Sequence, residues 1–198
     1  MLLFKELIYQ GVNAGFAPAR TKAAREWYRD AAGQIEGSAR FTPSKVIRSF
    51  EAKRKVSALT PGMMYLFKYD PKTKNKLPYY DTFPLIFPID TFKDGFMGIN
   101  FHYLPPMLRA KLMDAIYSTV SDKKYDDKTK VNISYQILKS ASKYKAFKPT
   151  VKKYLYSHVR SQFLEVTSTE WDIALFLPLE RFKKSDTQTI WNDSRNMI

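Results

Sequence analysis

The pattern of apolar and polar residues differs between the start of the chain and the rest. Glycine, alanine, proline and arginine are scattered there among few large aliphatic residues, and two helical patterns, residues 22–32 and 44–59, are bounded or broken by glycine and proline. Such a segment buries little surface by itself. We therefore predict that residues 1–60 form a partly helical arm that docks on partners, or alternatively an irregular N-terminal layer on the main domain.

Residues 61–105 have the pattern of short strands. Large residues alternate in "GMMYLFKYD", and "KDGFMGINFHYL" alternates after an Asp-Gly turn. The apolar run "FPLIFPID" contains Pro84 and Pro88, which restrict it to an edge strand or a kinked strand. Three or four antiparallel strands must close on themselves or be covered. We predict a small, strongly bent barrel resembling an SH3-like one.

Residues 106–198 are predicted to be mainly helical. An apolar stripe in "PMLRAKLMDAIYSTVS" indicates a helix that begins at Pro106, and "VNISYQILKSASKY" repeats the spacing. We predict a third helix in "KPTVKKYLYSHVRSQF". A short strand and a capped helix follow, with Thr167 and Glu170 at capping-box spacing. The fold class is therefore α+β: an antiparallel SH3-like barrel or bent sheet packed against several C-terminal helices in one compact domain, residues 61–198.

Charge adds information about partners. The chain has 33 Lys and Arg residues against 19 Asp and Glu residues, and the net charge of +14 favours a polyanion or a strongly acidic protein surface. The sequence has no cysteine, which suits a reducing compartment. It shows no secretory signal pattern and no apolar run of the roughly 20 residues that a membrane span needs. We expect a soluble protein made inside a cell, without membrane contact.

One segment combines positive charge with aromatic residues. Between Lys139 and Gln162 the chain has no acidic residue, and tyrosine, phenylalanine and histidine lie between its basic residues. The candidate nucleic-acid contacts are Lys139, Lys143, Lys145, Lys148, Lys152, Lys153 and Arg160. Unbalanced charge beside aromatic rings suits a polyanion site, while a solvated helix face is the alternative. The clusters "EAKRK" (51–55) and "KTKNK" (72–76) could widen such a site if the fold brings them near.

Catalytic chemistry has little support. His102 and His158 lack metal-ligand spacing, and we expect His102 to be a packed structural residue. Glu51 and Lys53 match half of a nuclease pattern, with Asp30 upstream, but they fall in a predicted basic helix rather than on a strand. A metal-dependent nuclease is therefore a distant alternative. We predict no catalytic residue, no metal site and no cofactor.

Several motifs carry a resemblance that covers about residues 62–195. They are "YDPK", "LPYYDTFPL", "DGFMGINFHYLPPMLRAKLMDAIY", "EWDIALFLPLERF" and "WNDSR". In this combination the chain resembles a virion structural protein family of T4-like tailed bacteriophages (myoviruses), some of whose members are labelled DNA end protector proteins. No catalytic residues come with the family.

The resemblance implies two functions. The first is a non-enzymatic structural component of the virion, in the tail, baseplate or neck, which binds other phage structural proteins in a large multi-subunit assembly. Packaged double-stranded DNA would then lie near residues 139–160. The second is a protein that binds and protects DNA ends. Either protein would be synthesised in the host cytoplasm and end in the virion. The candidate partner contacts in the arm are Arg20, Arg25, Trp27, Tyr28, Arg29 and Phe41.

Overall fold

The computed structural model describes residues 3–35, 41–120 and 126–196, which form a mixed α/β fold. Its α-helices are α1 (Leu3–Asn13), α2 (Lys22–Gly33), α3 (Pro43–Ser49), α4 (Pro106–Val120), α5 (Asp127–Ala141), α6 (Trp171–Phe176) and α7 (Thr187–Asn196). Its strands are β1 (Lys55–Val56), β2 (Met64–Leu66), β3 (Tyr80–Asp81), β4 (Leu85–Thr91), β5 (Gly95–Asn100), β6 (Val151–Leu155), β7 (Phe163–Val166) and β8 (Phe182–Lys183).

Six strands form one antiparallel sheet in the order β1-β7-β2-β4-β5-β6, and β3 pairs separately with β8. The sheet is not closed into a barrel, so the SH3-like barrel of the prediction is not confirmed. Strand β4 lies between β2 and β5, and its pairing with β5 shifts register between Pro88 and Asp90. Of the two predicted alternatives, an edge strand or a kinked strand, the kinked strand is therefore the one that the structure shows. The irregular pairing accommodates a proline that lacks the N–H of a regular ladder.

Aromatic contacts show that the sheet is strongly bent. The ring of Phe67, just after β2, lies 5.1 Å from the ring of Phe163 in β7 and 5.3 Å from the ring of Tyr154 in β6. Phe96 of β5 also lies 5.7 Å from Phe163, although β2 and β4 separate their strands in the sheet. Only a curved sheet brings these rings together on its concave face. The aromatic middle of the chain thus packs inward, as its density in the sequence suggests.

A larger hydrophobic core is shared between the sheet and the helices. It contains side chains of β4, α4 and α6, together with Phe4 and Leu7 of α1 and Tyr28 and Ala32 of α2. The N-terminal helices therefore lie on the domain and contribute to its main core. The functional division of the chain at residue 60, with an arm that reaches partner proteins, stays a prediction.

Most helices agree with the sequence pattern. The predicted helices in residues 22–32 and at Pro106 are confirmed, as is the capping box of Thr167 and Glu170. The pattern in residues 44–59 gives a helix only as far as Ser49. Asp126 caps α5, because its side chain accepts a 2.7 Å hydrogen bond from the backbone N–H of Thr129.

The predicted third helix is wrong. Residues 145–150 form a 3₁₀ helix, and Val151–Leu155 form β6, the strand at one edge of the sheet. Val151, Tyr154 and Leu155 have a spacing that also suits a helix. However, β-branched and aromatic residues pack well on a pleated surface, and pairing with β5 supplies the backbone hydrogen bonds of this segment.

A buried arginine contacts several separate segments of the C-terminal half. Arg109 of α4 is 2% exposed and donates hydrogen bonds to the carbonyl oxygens of Leu104 (2.7 Å) and Leu175 (2.6 Å). Its guanidinium also lies 2.6 Å from a carboxylate oxygen of Glu180 and 5.3 Å from the ring of Trp191. The pair keeps Glu180 ionised: burial alone would raise the pKa of this carboxyl, but the charge of Arg109 lowers it overall.

We predict that Arg109→Met lowers the free energy of unfolding by about 3–5 kcal/mol, because Glu180 and the carbonyl oxygens lose a buried cationic partner. The double variant Arg109→Met/Glu180→Gln should recover part of this loss, since it leaves no uncompensated charge. Denaturant unfolding of the wild type, both single variants and the double variant measures the coupling. Strictly additive losses would show that the two side chains do not act as a pair.

Gly95 marks a close approach between two strands. A Cβ atom on this residue would overlap the carbonyl oxygen of Tyr154 in the neighbouring strand β6. Gly95→Ala should therefore shift β6 and destabilise the protein by about 1–3 kcal/mol. Gly33→Ala is the matched control, because a Cβ there has no neighbour within 4 Å among the described residues. Thermal unfolding compares the two, and equal midpoints would contradict the predicted clash.

Candidate nucleic-acid interface

The predicted basic contacts begin on α5 and in the turn that follows it. Lys139 of α5 is engaged within the fold, because its ammonium lies 2.9 Å from the hydroxyl of Tyr135 and 3.4 Å from Asp90. Lys143, Lys145 and Lys148 are exposed, and none of them forms an ion pair with a residue that the structure describes. These three lysines, here called the exposed lysine cluster, leave their charge available to solvent or to an anion.

The other three predicted contacts lie on β6 and beyond it. Lys153 is exposed and lies 3.3 Å from Asp94. Arg160 is exposed and donates to the carbonyl oxygen of Ser157 at 3.2 Å. Lys152 is half-buried beside a pocket. The predicted contacts therefore do not share one helix face: they are distributed over α5, a 3₁₀ helix, an edge strand and the segment before β7.

The pocket beside Lys152 lies between β6 and residues 69–81, with a volume of about 480 Å³. Its tyrosines are Tyr69, Tyr79, Tyr80, Tyr103 and Tyr154, and its lysines are Lys72, Lys152 and Lys153. We call it the tyrosine–lysine pocket. It brings "KTKNK" next to β6, because Lys72 lines the same pocket as Lys152 and Lys153. Such proximity is the condition under which this cluster widens the basic site.

The second basic cluster, "EAKRK", is elsewhere. It leads into β1, which lies at the opposite end of the strand order from β6. Arg54 of this cluster is paired with Glu170, with one contact of 2.9 Å, and Glu51 lies 2.7 Å from Lys5 and 3.3 Å from Lys53. This cluster therefore does not extend the pocket.

Lys152 has the least compensated charge in the pocket. Its ammonium lies 4.0 Å from the centre of the Tyr103 ring, and among the described residues it has neither a hydrogen-bond acceptor nor an ion-pair partner. Burial lowers the pKa of Lys152 to about 8, since the pocket wall replaces water around the charged form. An anion beside this ammonium would replace the electrostatic stabilisation that the charged form loses when water is removed.

The one carboxylate of the pocket lining, Asp81, is turned toward a buried network. Its oxygens lie 2.7 Å from Nδ1 of His102 and 3.1 Å from the side-chain amide of Asn100, and they accept a 2.9 Å hydrogen bond from the N–H of Phe83. Burial acts to raise the pKa of Asp81, but the contacts with His102, Phe83 and Asn100 together outweigh it and the pKa is lowered. His102 is fully buried, which agrees with the expected packed position of this side chain.

His158 and the nuclease candidates have ordinary surroundings. Nδ1 of His158 lies 2.8 Å from the carbonyl oxygen of Asp70. Asp30 is exposed on α2, and Glu51 is paired with lysines. Within residues 3–35, 41–120 and 126–196, no three His, Cys, Asp or Glu side chains are arranged to hold a metal ion. None of the described helices is long and apolar enough to cross a membrane.

Five of the six candidate partner contacts are engaged inside the fold. Arg25 and Arg29 of α2 each lie 2.9 Å from Asp114 of α4, and Arg29 also lies 2.7 Å from Asp172 of α6. These ion pairs attach α2 to the domain. A separate set of contacts holds the aromatic members.

Tyr28 and Phe41 are buried, and the ring of Trp27 stacks on Phe16 at 5.8 Å. Arg20 is exposed. Partner binding through these residues stays a prediction, with Arg20 the most accessible of them.

Sequence reasoning did not select the tyrosines as site residues. The signal that could have found them is the adjacency of "LPYYD" to "KTKNK", which places aromatic rings beside lysines within a few residues.

Comparison with known protein families gives a match over most of the chain. The sequence profile described as "Phage T4 terminal DNA protecting protein" matches residues 9–194, which is nearly the whole chain. No curated protein and no solved structure matched the chain. The matched region contains the motifs on which the resemblance to T4-like phage proteins depends, except for Arg195, the last residue of "WNDSR". The chain therefore belongs to the family of phage T4 terminal DNA protecting proteins.

Proposed function

We propose that this protein binds the ends of linear double-stranded DNA and shields them from nucleases. The observation that carries this proposal is the family match over residues 9–194. It makes DNA-end protection, which was the second function in the sequence analysis, the preferred one. A position in the tail, baseplate or neck has no support from the match and stays a prediction.

The charge distribution supports contact with DNA. The net charge is +14, and the exposed lysine cluster consists of side chains without described ion pairs. Each lysine that contacts a phosphate releases condensed counterions from DNA, and this release drives binding at low salt. Tyr144 lies within the cluster and is 66% exposed, so an aromatic surface for base contact is also accessible.

Protection needs no catalytic step. A protein that covers the end of a duplex denies an exonuclease access to the terminal phosphodiester bond, and its occupancy depends only on affinity and concentration. We propose that the protein acts in this non-enzymatic way, associated with the virion. Contacts with other phage proteins through residues 1–60 are a further part of this proposal, with Arg20 as the exposed candidate.

The first prediction concerns end specificity. A short linear duplex with open blunt ends should bind more tightly than the same duplex closed by hairpin loops at both ends. The bound protein should also stop digestion by a double-strand exonuclease. Fluorescence anisotropy at increasing salt and a time course of digestion measure these effects. Equal affinity for open and closed duplexes, or no binding at low salt, would contradict the proposal.

A second prediction concerns the exposed lysine cluster. The triple variant Lys143→Gln/Lys145→Gln/Lys148→Gln should weaken DNA binding and reduce the slope of log affinity against log salt by up to about 2.7, or ~0.9 for each phosphate that a lysine no longer neutralises. The triple variant Lys22→Gln/Lys45→Gln/Lys53→Gln removes the same charge from exposed positions in the first 60 residues. It should change the slope much less. Equal changes would show that overall charge, rather than this cluster, determines binding.

A further inference from the structure

We propose that the tyrosine–lysine pocket receives the terminal nucleotide of a DNA end, with the terminal phosphate at the ammonium of Lys152. This inference rests on the proposed function and deepens it, because it names the part of the DNA that one site recognises. It distinguishes a pocket for the end itself from the exposed lysine cluster, whose contacts suit any phosphate of the duplex.

The first argument is the uncompensated charge in the pocket. Lys152 is flanked by the ring of Tyr103 at 4.0 Å and has no anionic partner among the described residues. Even partial burial of an ammonium without a partner is unfavourable, because it removes water from the charged group. A phosphate supplies the missing negative charge and hydrogen-bond acceptors. Lys72 and Lys153 line the same pocket and increase its preference for anions.

Asp81, the carboxylate of the pocket lining, does little to reduce the positive potential of the lysines in the pocket. Asp81 is 4% exposed, and its oxygens are occupied by His102, Asn100 and the N–H of Phe83. The carboxylate is therefore directed away from the pocket opening and into the buried network. The field that an incoming anion meets is dominated by the lysines.

The second argument is the size and lining of the pocket. A volume of about 480 Å³ lies within the range of roughly 300–1,000 Å³ that small-molecule sites occupy, and it has room for one nucleotide. The partly exposed rings of Tyr79 and Tyr80 lie at its wall. Aromatic rings bind bases by stacking without selecting one base over another. Such a wall suits a protein that must accept an end of any sequence.

A terminal nucleotide can enter the pocket more easily than a nucleotide inside a duplex. A base inside a duplex stacks on two neighbours, whereas a terminal base has one neighbour and unpairs at lower cost. The pocket also lies beside β6, the last strand of the sheet among the described residues, so no further described strand covers its outer side. The opening is therefore beside a free edge of the sheet, where a strand of DNA has access.

The test compares terminal groups on one duplex. The duplex is closed by a hairpin at one end, and its open blunt end carries a 5′-phosphate, a 3′-phosphate or hydroxyl groups only. The wild-type protein should bind one phosphorylated end about tenfold or more tightly than the hydroxyl end, as expected for a hydrogen bond between charged groups. The DNA that binds more tightly, with either a 5′-phosphate or a 3′-phosphate, identifies which terminal phosphate the pocket recognises.

Lys152→Met should abolish this preference. It should also keep or raise the thermal midpoint, because it removes a desolvated charge that has no partner. Lys148→Met is the charge-matched control outside the pocket, and it should weaken binding to phosphorylated and hydroxyl ends equally. A second variant, Thr73→Trp, places a large side chain at the exposed lining of the pocket and should weaken binding to open ends while Lys152 is unchanged.

The outcomes separate the two proposals. If the protein protects open ends but shows no preference for either terminal phosphate, the pocket inference is wrong and the proposed function stands. The same holds if the preference survives in Lys152→Met. If doubly closed duplex binds as well as open duplex, the proposed function is wrong, and the inference that depends on it is withdrawn as well.

Discussion

The contact of Arg109 with Glu180 determines how the C-terminal half of this chain is assembled. One guanidinium satisfies a buried carboxylate at 2.6 Å and also links the segment before α4 to helix α6 by donating to the carbonyl oxygens of Leu104 and Leu175. A buried charge requires such a complete set of partners, because each unsatisfied group in a dry environment is unfavourable. Arg109 and its partners come from separate motifs of the family resemblance, "HYLPPMLRA" and "EWDIALFLPLERF". These motifs therefore form parts of one buried assembly rather than an exposed binding surface.

The bend of the sheet determines which residues meet in the tyrosine–lysine pocket. Phe67 and Phe96 fill the concave face and bring β6 close to the segment that follows β2, so the tyrosines of residues 69–80 and Lys152 become neighbours. The close approach at Gly95 contributes to the same geometry, since β5 and β6 contact there without an intervening side chain. The pocket is thus a consequence of how the sheet curves. The polar wall of the pocket lies directly beside the aromatic core, and packing in this core holds the neighbouring strands in position.

Local patterns in the sequence predicted much of the fold but little of the site. The helix at Pro106 follows from its apolar spacing, and the cap at Thr167 and Glu170 follows from side-chain chemistry within four residues. The segment at Val151 was assigned to a helix because periodicity alone does not distinguish short amphipathic strands from helices. Pairing with β5 decides its conformation, and that contact joins residues far apart in sequence. The pocket could not be predicted for the same reason, because Lys72 and Lys152 meet only after the sheet has formed.

The arginines and lysines of the chain have different roles, and this difference bears on recognition. Arg29, Arg54 and Arg109 are engaged in ion pairs within the fold, where a planar guanidinium can satisfy several acceptors at once. The charge that is left for an external polyanion is carried mostly by lysines such as Lys143 and Lys152. An ammonium acts on a phosphate as a point charge and does not read bases, whereas an arginine can form paired hydrogen bonds with a guanine edge. A surface whose available cations are mostly lysines suits contact with the DNA backbone. It is therefore suited to ends of any sequence, and discrimination between an end and the interior of a duplex must come from the shape of the site.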